Sequence, residues 1–324
     1  MSRLFAYISH KGGLADDTAL ELIHAARKID AAASVTAVIT GSGADLDTVC
    51  TEMAASYREV WKIDHQALAY PNAEAIRKAL ANILPADGIV LIGNDTLGMD
   101  LGPGLSIKMD SSFAVDVVDF EGTDGSTLRL VRQEYAGQVS THVDCDISAG
   151  AVITVRPGAF RPDESRVADG RVVDKSGDAG DLRVGRRFLE IVEAEVGDID
   201  ITRSEVLVSV GRGIGDKENI EIAKELADAL GADLCCSRPI VDAKWLEKLR
   251  QVGSSGRTVK PKVYMAMGIS GSFQHLMGIK GSPFIIAVNK NPRAPVFQVA
   301  QVGVVADIIE LMPKLTEALR RGSR

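Results

Sequence analysis

Short runs rich in valine, isoleucine and alanine alternate along this chain with longer amphipathic stretches, and the alternation starts twice. LFAYIS gives way to DDTALELIHAARKID, SVTAVIT to GADLDTVCTEMA, VWKI to NAEAIRKALANIL, and GIVLIG to the glycine-rich TLGMDLGPGLSIKMD. The short runs have the look of strands buried on both faces, and the longer ones carry apolar residues at helical spacing. Strands and helices in strict succession pack as a parallel sheet with helices covering it. Asp16 and Asn72 stand where their helices need a cap.

After residue 110 the pattern changes. AVDVVDF, TLRLVRQEYAG, VSTHVDCD and AVITVRP read as consecutive strands separated by Gly, Asp and Ser turns, a meander or edge hairpin that completes the first domain. Residues 157–182 are polar and rich in Gly, Pro and charge, which predicts a linker closing a first domain of 1–182. A strand-like RRFLEIVEAEV follows, and then the alternation restarts. VLVSVG leads to GRGIGDKENIEIAKELADALG, ADLCCS to RPIVDAKWLEKLR, and KVYMAMG to ISGSFQHLMGIKG; FIIAVN, VFQVA and VVADIIELMPKLTEALRR end the chain. The predicted fold is therefore α/β in two domains. The N-terminal one is a parallel-sheet domain with an antiparallel extension, and residues 183–324 form a flavodoxin- or Rossmann-like domain.

With 324 residues, each domain has enough chain for a core. Only 5% of residues are aromatic, and the apolar 46% leans on Ala, Val and Ile, as parallel sheets do. The net charge of −7 without a basic stripe speaks against a nucleic-acid partner. No apolar run approaches a membrane span, FIIAV at 284–288 being typical of the longest. The opening MSRLFAYISHKGG is too short in apolar residues for a secretory signal and reads as a first strand, so cytoplasmic residence is the expectation. Cys50, Cys145, Cys235 and Cys236 include no C-x-x-C pair, so neither an iron–sulfur cluster nor a structural zinc is indicated.

In a parallel sheet the loops after the strands gather at one edge, where ligands bind. Four such loops in the second domain have unusual content. Gly211-Arg212-Gly213-Ile214-Gly215 follows VLVSV and precedes a helix opened by Asp216. Its spacing misses the dinucleotide fingerprint, and a phosphate site and a plain strand–helix turn both remain open. In Cys235-Cys236-Ser237-Arg238-Pro239, Arg238 is either a surface arginine or a planar cation aimed into a cleft. The vicinal cysteines fit buried, inert thiols. Gln251-Val252-Gly253-Ser254-Ser255-Gly256-Arg257 is a tight strand entry with hydroxyl and amide donors. Finally, GISGSFQH, residues 268–275, lays bare backbone amides before Gln274 and His275. Ser272 takes the place of the last glycine of a hydrolase elbow, so a serine hydrolase is disfavoured. No second His or carboxylate lies at helical spacing from His275, which disfavours a metal and suits a polar heteroaromatic ligand. Asn289 and Asp307 follow at the same edge, as caps or as ribose or adenine contacts.

These residues resemble the α subunits of electron-transfer flavoproteins. The likeness is carried by GRG at 211–213, SRPIVDAKW at 237–245, QVGSSGRTVKPKVYMAMGISGSFQH at 251–275 and AVNKNPRAPVFQVAQVGVVAD at 287–307. It covers essentially all of residues 205–324 in the family's order, while the first domain agrees in length and strand–helix order. The resemblance implies a heterodimer with a β subunit and an FAD held extended on the C-terminal domain. It implies that Arg212, Ser237, Val252, Gly253, Ser254, Ser255, Ser270, Gly271, Ser272, Phe273, Gln274, His275, Asn289, Asp307 and Ile308 line that FAD. By the same likeness Arg238 lies over the isoalloxazine, the Ser255 hydroxyl approaches N5, and His275 approaches the N1/C2-carbonyl edge. A cationic Arg238 and a donating or protonated His275 would then stabilise charge near N1 and O2, the flavin carrying the electrons.

The resemblance further implies a carrier without small-molecule turnover of its own. It would exchange electrons with a flavin dehydrogenase such as an acyl-CoA dehydrogenase and with a quinone-, ferredoxin- or NAD-linked partner. Where many members have Gln-Thr-Gly-Lys this chain has Ser254-Ser255-Gly256-Arg257, which keeps the hydroxyl. Ser272-Phe273 replaces a common Ala-Ile, and Gln301-Val302 a common Asp-Tyr. The SGRTVKP form looks like that of anaerobic or nitrogen-fixation-type members, some of which bifurcate electrons from NADH. A bifurcating complex with NADH and a second FAD mainly on the β subunit is one alternative. A nucleotide-binding regulatory protein that never changes redox state is another.

Overall fold

A computed structural model describes residues 3–135, 139–167, 169–190, 199–279 and 283–322. The chain divides into two compact units, Met1–Glu190 and Ile191–Arg324, each built on its own sheet.

In the first unit β1 (Leu4–Ile8) is followed by a small antiparallel ribbon, β2 (His10–Lys11) and β3 (Leu14–Ala15), and by α1 (Thr18–Ile29). Then come β4 (Val35–Gly41), α2 (Ala44–Met53), β5 (Glu59–Asp64), α3 (Ala73–Ile83), β6 (Ile89–Gly93) and α4 (Thr96–Met109). β7 (Ser112–Asp124), β8 (Thr127–Glu134), β9 (Val139–Asp146), β10 (Ala151–Val155) and β11 (Arg171–Asp174) complete it. The sheet runs β11-β5-β4-β1-β6-β10-β7-β8-β9, parallel as far as β7 and antiparallel beyond. Two caps form at the predicted residues: the Asn72 side chain accepts from the Glu74 amide, and Asp16 accepts from both the amide and the hydroxyl of Thr18.

Several details differ from the sequence reading. AVITV, expected as a fourth meander strand, is β10, which lies parallel between β6 and β7. All five of its residues are buried, so it belongs inside a sheet; β9, mostly exposed, takes the edge. The glycine-rich TLGMDLGPGLSIKMD is, as its place in the alternation implies, a helix, α4, capped by Asp95. A Cβ at Gly98 would sit 1.9 Å from the Gly93 carbonyl oxygen, and one at Gly102 2.9 Å from the Phe113 ring, so glycine lets this helix lie directly on the sheet. The polar stretch 157–182 folds back on the first unit, where β11 pairs with β5 and Ala179 and Leu182 are buried. Residues 186–190 of the strand-like RRFLEIVEAEV form no strand, and its remainder lies outside the described residues.

The second unit comprises β12 (Val206–Val210), α5 (Ile220–Leu230), β13 (Asp233–Cys236), α6 (Arg238–Asp242), β14 (Val263–Met267), α7 (Phe273–Leu276), β15 (Phe284–Asn289), β16 (Val302–Val305) and α8 (Ile308–Gly322). All five strands are parallel in the order β13-β12-β14-β15-β16, the flavodoxin-like doubly wound arrangement. VFQVA forms no strand: Pro295, which lacks an N–H, opens a 3-10 turn, and the strand is Val302–Val305. α6 is short because Lys244 turns left-handed (φ 58°) just past its end. Helices α5 and α8 pack together over one face. The other face is covered largely by loop residues, among them Val252, Val259, Ile269, Ala294 and Val296. The loops with the unusual chemistry are thus part of a core, which holds them in place. Among the described residues no helix is long and apolar enough to cross a membrane.

Candidate functional site

The topological switch of the second sheet lies between β12 and β14, and the loops leaving these two strands meet there. A Cβ on Gly211 would lie 2.4 Å from the Gly268 carbonyl oxygen, and one on Gly213 2.8 Å from the Gly268 Cα. The two glycines therefore allow one loop backbone to lie on the other. Four amides of this loop are used for the same purpose: Gly211 donates to Met267, Gly213 to Gly268, and Ile214 and Gly215 back into the turn. The turn reading wins over the phosphate cradle at this loop. The Asp216 side chain makes no capping bond, and α5 begins only at Ile220 after a 3-10 turn. Arg212 remains exposed at the edge.

The loop after β14 is fastened the opposite way. Its carbonyls are held from behind, Ile269 by the Asn289 side-chain amide at 2.9 Å and Ser270 by the Val296 amide at 3.1 Å. Among the described residues no acceptor takes the amides of Ser270, Gly271 or Ser272. Left-handed Gly268 (φ 67°) and Gly271 (φ 81°) make this bend possible. A Cβ on Gly271 would lie 2.3 Å from the Val296 nitrogen. Consecutive amides left in such a bend form an anion-accepting concavity.

The 251–257 loop sits on this turn. Gln251 pairs with Cys236 as an extension of the sheet edge, and the Ser254 amide donates to the Gln274 carbonyl at 2.7 Å. Gly253 (φ 139°) touches the Gln274 backbone and Gly278 touches Gly253, so no side chain keeps the loops apart. Val252 is buried beneath, and Ser254 and Ser255 are exposed above it. Ser255 accepts a hydrogen bond from the Gln251 side-chain amide at 2.9 Å.

Arg238 starts α6 right after the buried Ser237. Its guanidinium, 68% exposed, rests 3.3 Å from Asp242, an exposed pair that contributes little and leaves the group ready to turn elsewhere. His275 is different. Its ring is 4% exposed, and Nε2 is 2.8 Å from the hydroxyl of Tyr264, itself fully buried on β14. Nδ1 is buried without a well-formed hydrogen bond, the Val252 backbone lying beside it. Burial pushes the imidazole down to about 4 from the usual 6.5, so it is neutral near pH 7. A neutral imidazole corresponds to the donating form of the two expected for His275. Tyr264 also neighbours Ser209 and Cys235, forming a polar thread through the loop-covered core. Burial raises Cys235 and Cys236 to about 12, in keeping with inert thiols.

Gln274 is exposed and Phe273 half-buried in the first turn of α7. Asn289 has both ends of its amide engaged, with Ile269 and Asn291. Asp307 caps α8 through Ile309 and pairs with Lys290, whose bond holds the carboxyl below its usual range. Ile308 is buried, close enough that a Cβ on Gly268 would lie 2.8 Å from its Cδ1. Asn289 and Ile308 thus hold the central loop from behind. The sequence reading passed over Tyr264, which lies in an apolar stretch that looks like plain core, and gave Gln251 no role of its own within its loop.

Two family models match the chain: that of the electron transfer flavoprotein FAD-binding domain over residues 200–280, and that of the electron transfer flavoprotein domain over residues 5–179. The chain belongs to the electron transfer flavoprotein family. It is 34% identical to the electron transfer flavoprotein subunit alpha of Methylophilus methylotrophus, over 98% of this chain and 99% of that one. Identity to the subunit alpha of Thermoanaerobacterium thermosaccharolyticum is 29%, over 98% of both chains. It is 32% to Protein FixB of Clostridium saccharobutylicum, over 96% of this chain and 94% of that one. Within that family it is similar to the α subunits, and the FAD-binding match spans all four loops described above.

The residues present fit FAD. The pyrophosphate of a dinucleotide needs donors on a concave backbone, and the amides of Ser270–Ser272 are left for it. The flavin needs polar groups around its ring and no competing charge pair deep in the site; the exposed Ser254, Ser255 and Arg238 meet that need. Among the described residues no cluster of His, Cys, Asp or Glu is placed to hold a metal.

Proposed function

We propose that this α subunit pairs with a β subunit and works as a cytoplasmic electron carrier. It would take electrons from a flavin dehydrogenase, such as an acyl-CoA dehydrogenase, and pass them to a quinone-, ferredoxin- or NAD-linked partner. The observation that supports this best is the unused donor set at the carboxyl edge of β12–β16, within the stretch matched by the FAD-binding model. Bound there, FAD supplies the redox chemistry, and the chain binds, orients and tunes it. The Ser270–Ser272 amides, with Arg212 and Ser237 nearby in the edge loops, hold the phosphates and sugar. Arg238 swings from its weak pair with Asp242 to place a planar cation over the ring. Ser255 offers a hydroxyl to N5, with Ser254, Gly253 and Val252 shaping the surface beneath it. Neutral His275 acts at the N1/C2-carbonyl edge through its dipole, held by Tyr264.

The test is to co-express the chain with a β subunit, purify the complex, and count FAD per heterodimer while recording spectra during stepwise reduction. One FAD on the α subunit, reduced reversibly, is the expected result; a colourless complex that takes up no added FAD overturns the reading. The Ser255–Pro261 stretch, SGRTVKP, favours a second possibility, a bifurcating complex. A second FAD per heterodimer together with NADH-driven ferredoxin reduction would select it.

A further inference from the structure

We propose that Gln251 is a positioning residue: by donating its side-chain amide to Ser255, it turns the Ser255 hydroxyl proton outward, toward N5 of the flavin. This rests on the reading that Ser255 faces N5. Gln251 is 3% exposed, whereas Ser255 stands at the surface of the loop. Its backbone is held on three sides. The amide donates to Lys248, the carbonyl accepts from Arg257 at 2.7 Å, and the residue bridges to Cys236 on the sheet edge. The turn closes over the Gln251 stem at Gly256. A Cβ there would lie 2.3 Å from the Gln251 carbonyl oxygen and 3.0 Å from its Cγ. The glutamine is therefore fixed in place from both ends of the turn.

A serine hydroxyl has one proton and two lone pairs, and an unconstrained one donates or accepts according to whatever approaches. In this loop Nε2 of Gln251, 2.9 Å from Ser255 Oγ, occupies a lone pair. The proton is then left for a partner outside the loop. N5 of an oxidised flavin carries a lone pair and no hydrogen, so it needs a donor opposite it. A fixed donor requires no reorientation when electrons arrive, which is how a preorganised dipole tunes a cofactor. Gln251 need not touch the flavin: its effect passes through Ser255.

The experiment uses the αβ complex reconstituted with FAD labelled with 15N at N5, with FAD stoichiometry checked for every variant. Ser255→Ala removes the donor and is expected to displace the N5 resonance. Gln251→Glu keeps the shape and reverses the polarity. At alkaline pH its carboxylate accepts the Ser255 proton, and N5 should move in the same direction by a comparable amount. Gln251→Met, which fills the space without donating, should move it by less. The double variant Gln251→Glu/Ser255→Ala should match Ser255→Ala alone. An N5 resonance that responds to Ser255→Ala and ignores Gln251→Glu overturns the positioning role, as do additive shifts in the double variant. If Gln251→Glu does not retain FAD, Gln251→Met decides, and an unmoved resonance again overturns the proposal. A resonance indifferent to Ser255→Ala removes Ser255 from N5, and so fails the underlying reading instead.

Discussion

Both sheets put a parallel switch region at their carboxyl edge, yet the two edges are finished differently. In the first unit the polar groups there join one another. The Arg156 guanidinium, buried at the end of β10, binds Asp116 through two nitrogens and Gln133 through another, while Asn94 at the end of β6 also donates to Asp116. In the second unit the central loop has its Ile269 and Ser270 carbonyls secured, and among the described residues its Ser270–Ser272 amides find no acceptor. Topology provides a crevice in both cases. A ligand site needs, in addition, donors that the fold itself has not used.

The sharpest way to break this comparison is to damage each edge by a similar amount of stability and ask which one holds FAD. Arg156→Ala would leave the half-buried Asp116 without its cationic partner, at a cost of about 3 kcal/mol. The loss should appear in denaturant unfolding of the first unit with FAD stoichiometry unchanged. Gly271→Ala would force a Cβ against Val296 at a left-handed position, costing about 2–3 kcal/mol. Here FAD retention should collapse as well, and an unaltered FAD content would show that the amide bend is not the site.

A third contrast lies in pH. His275 in the folded chain stays neutral down to about 4, whereas unfolded it would take a proton near 6.5. Between these values the unfolded chain binds the extra proton. The contribution is therefore fully present above pH 6.5 and is lost as pH falls toward 4, reaching roughly 3 kcal/mol at most. Unfolding of the second unit measured across that window should show the decline, and His275→Gln should flatten it. Tyr264→Phe leaves the His275 nitrogen without its partner and should cost about 1–2 kcal/mol in thermal or urea unfolding. The smallest effect on stability belongs to Arg238→Ala, within about 0.5 kcal/mol because its pair is exposed. Its effect is expected instead in the first reduction potential of the bound flavin, which should fall, by ~40 mV for each kcal/mol of lost stabilisation. A potential that stays put would remove Arg238 from the flavin site.

Much of the fold was legible because it rests on local patterns. Buried runs such as Val206–Val210 and Val263–Met267 can only be inner strands, and helices such as α3 and α5 show their apolar stripes directly. TLGMDLGPGLSIKMD stands in a helix's place in the alternation, but only Gly93, Phe113 and Thr154 packed beneath it explain why it needs glycine. The misread elements are those whose state depends on a distant neighbour. AVITV followed three meander strands, but its burial required an inner place between β6 and β7.

The same division runs through the site. From residues alone came the loops that collect at one sheet edge, the glycines that permit tight bends, and the hydroxyls and arginines available to a cofactor. Chain order and side-chain chemistry suffice for that, because every loop after a parallel strand emerges on the same side. Which of those groups remain available was settled only by the folded chain. Gly211 and Gly213 look as suited to a phosphate as Gly271 does, yet their amides reach across to the β14 loop and those of Ser270–Ser272 do not. His275 looks like an open imidazole until Tyr264 and the 251–257 loop close around it. Hydrogen-bond partners far apart in sequence decide both cases, and a strand-by-strand reading cannot assign them.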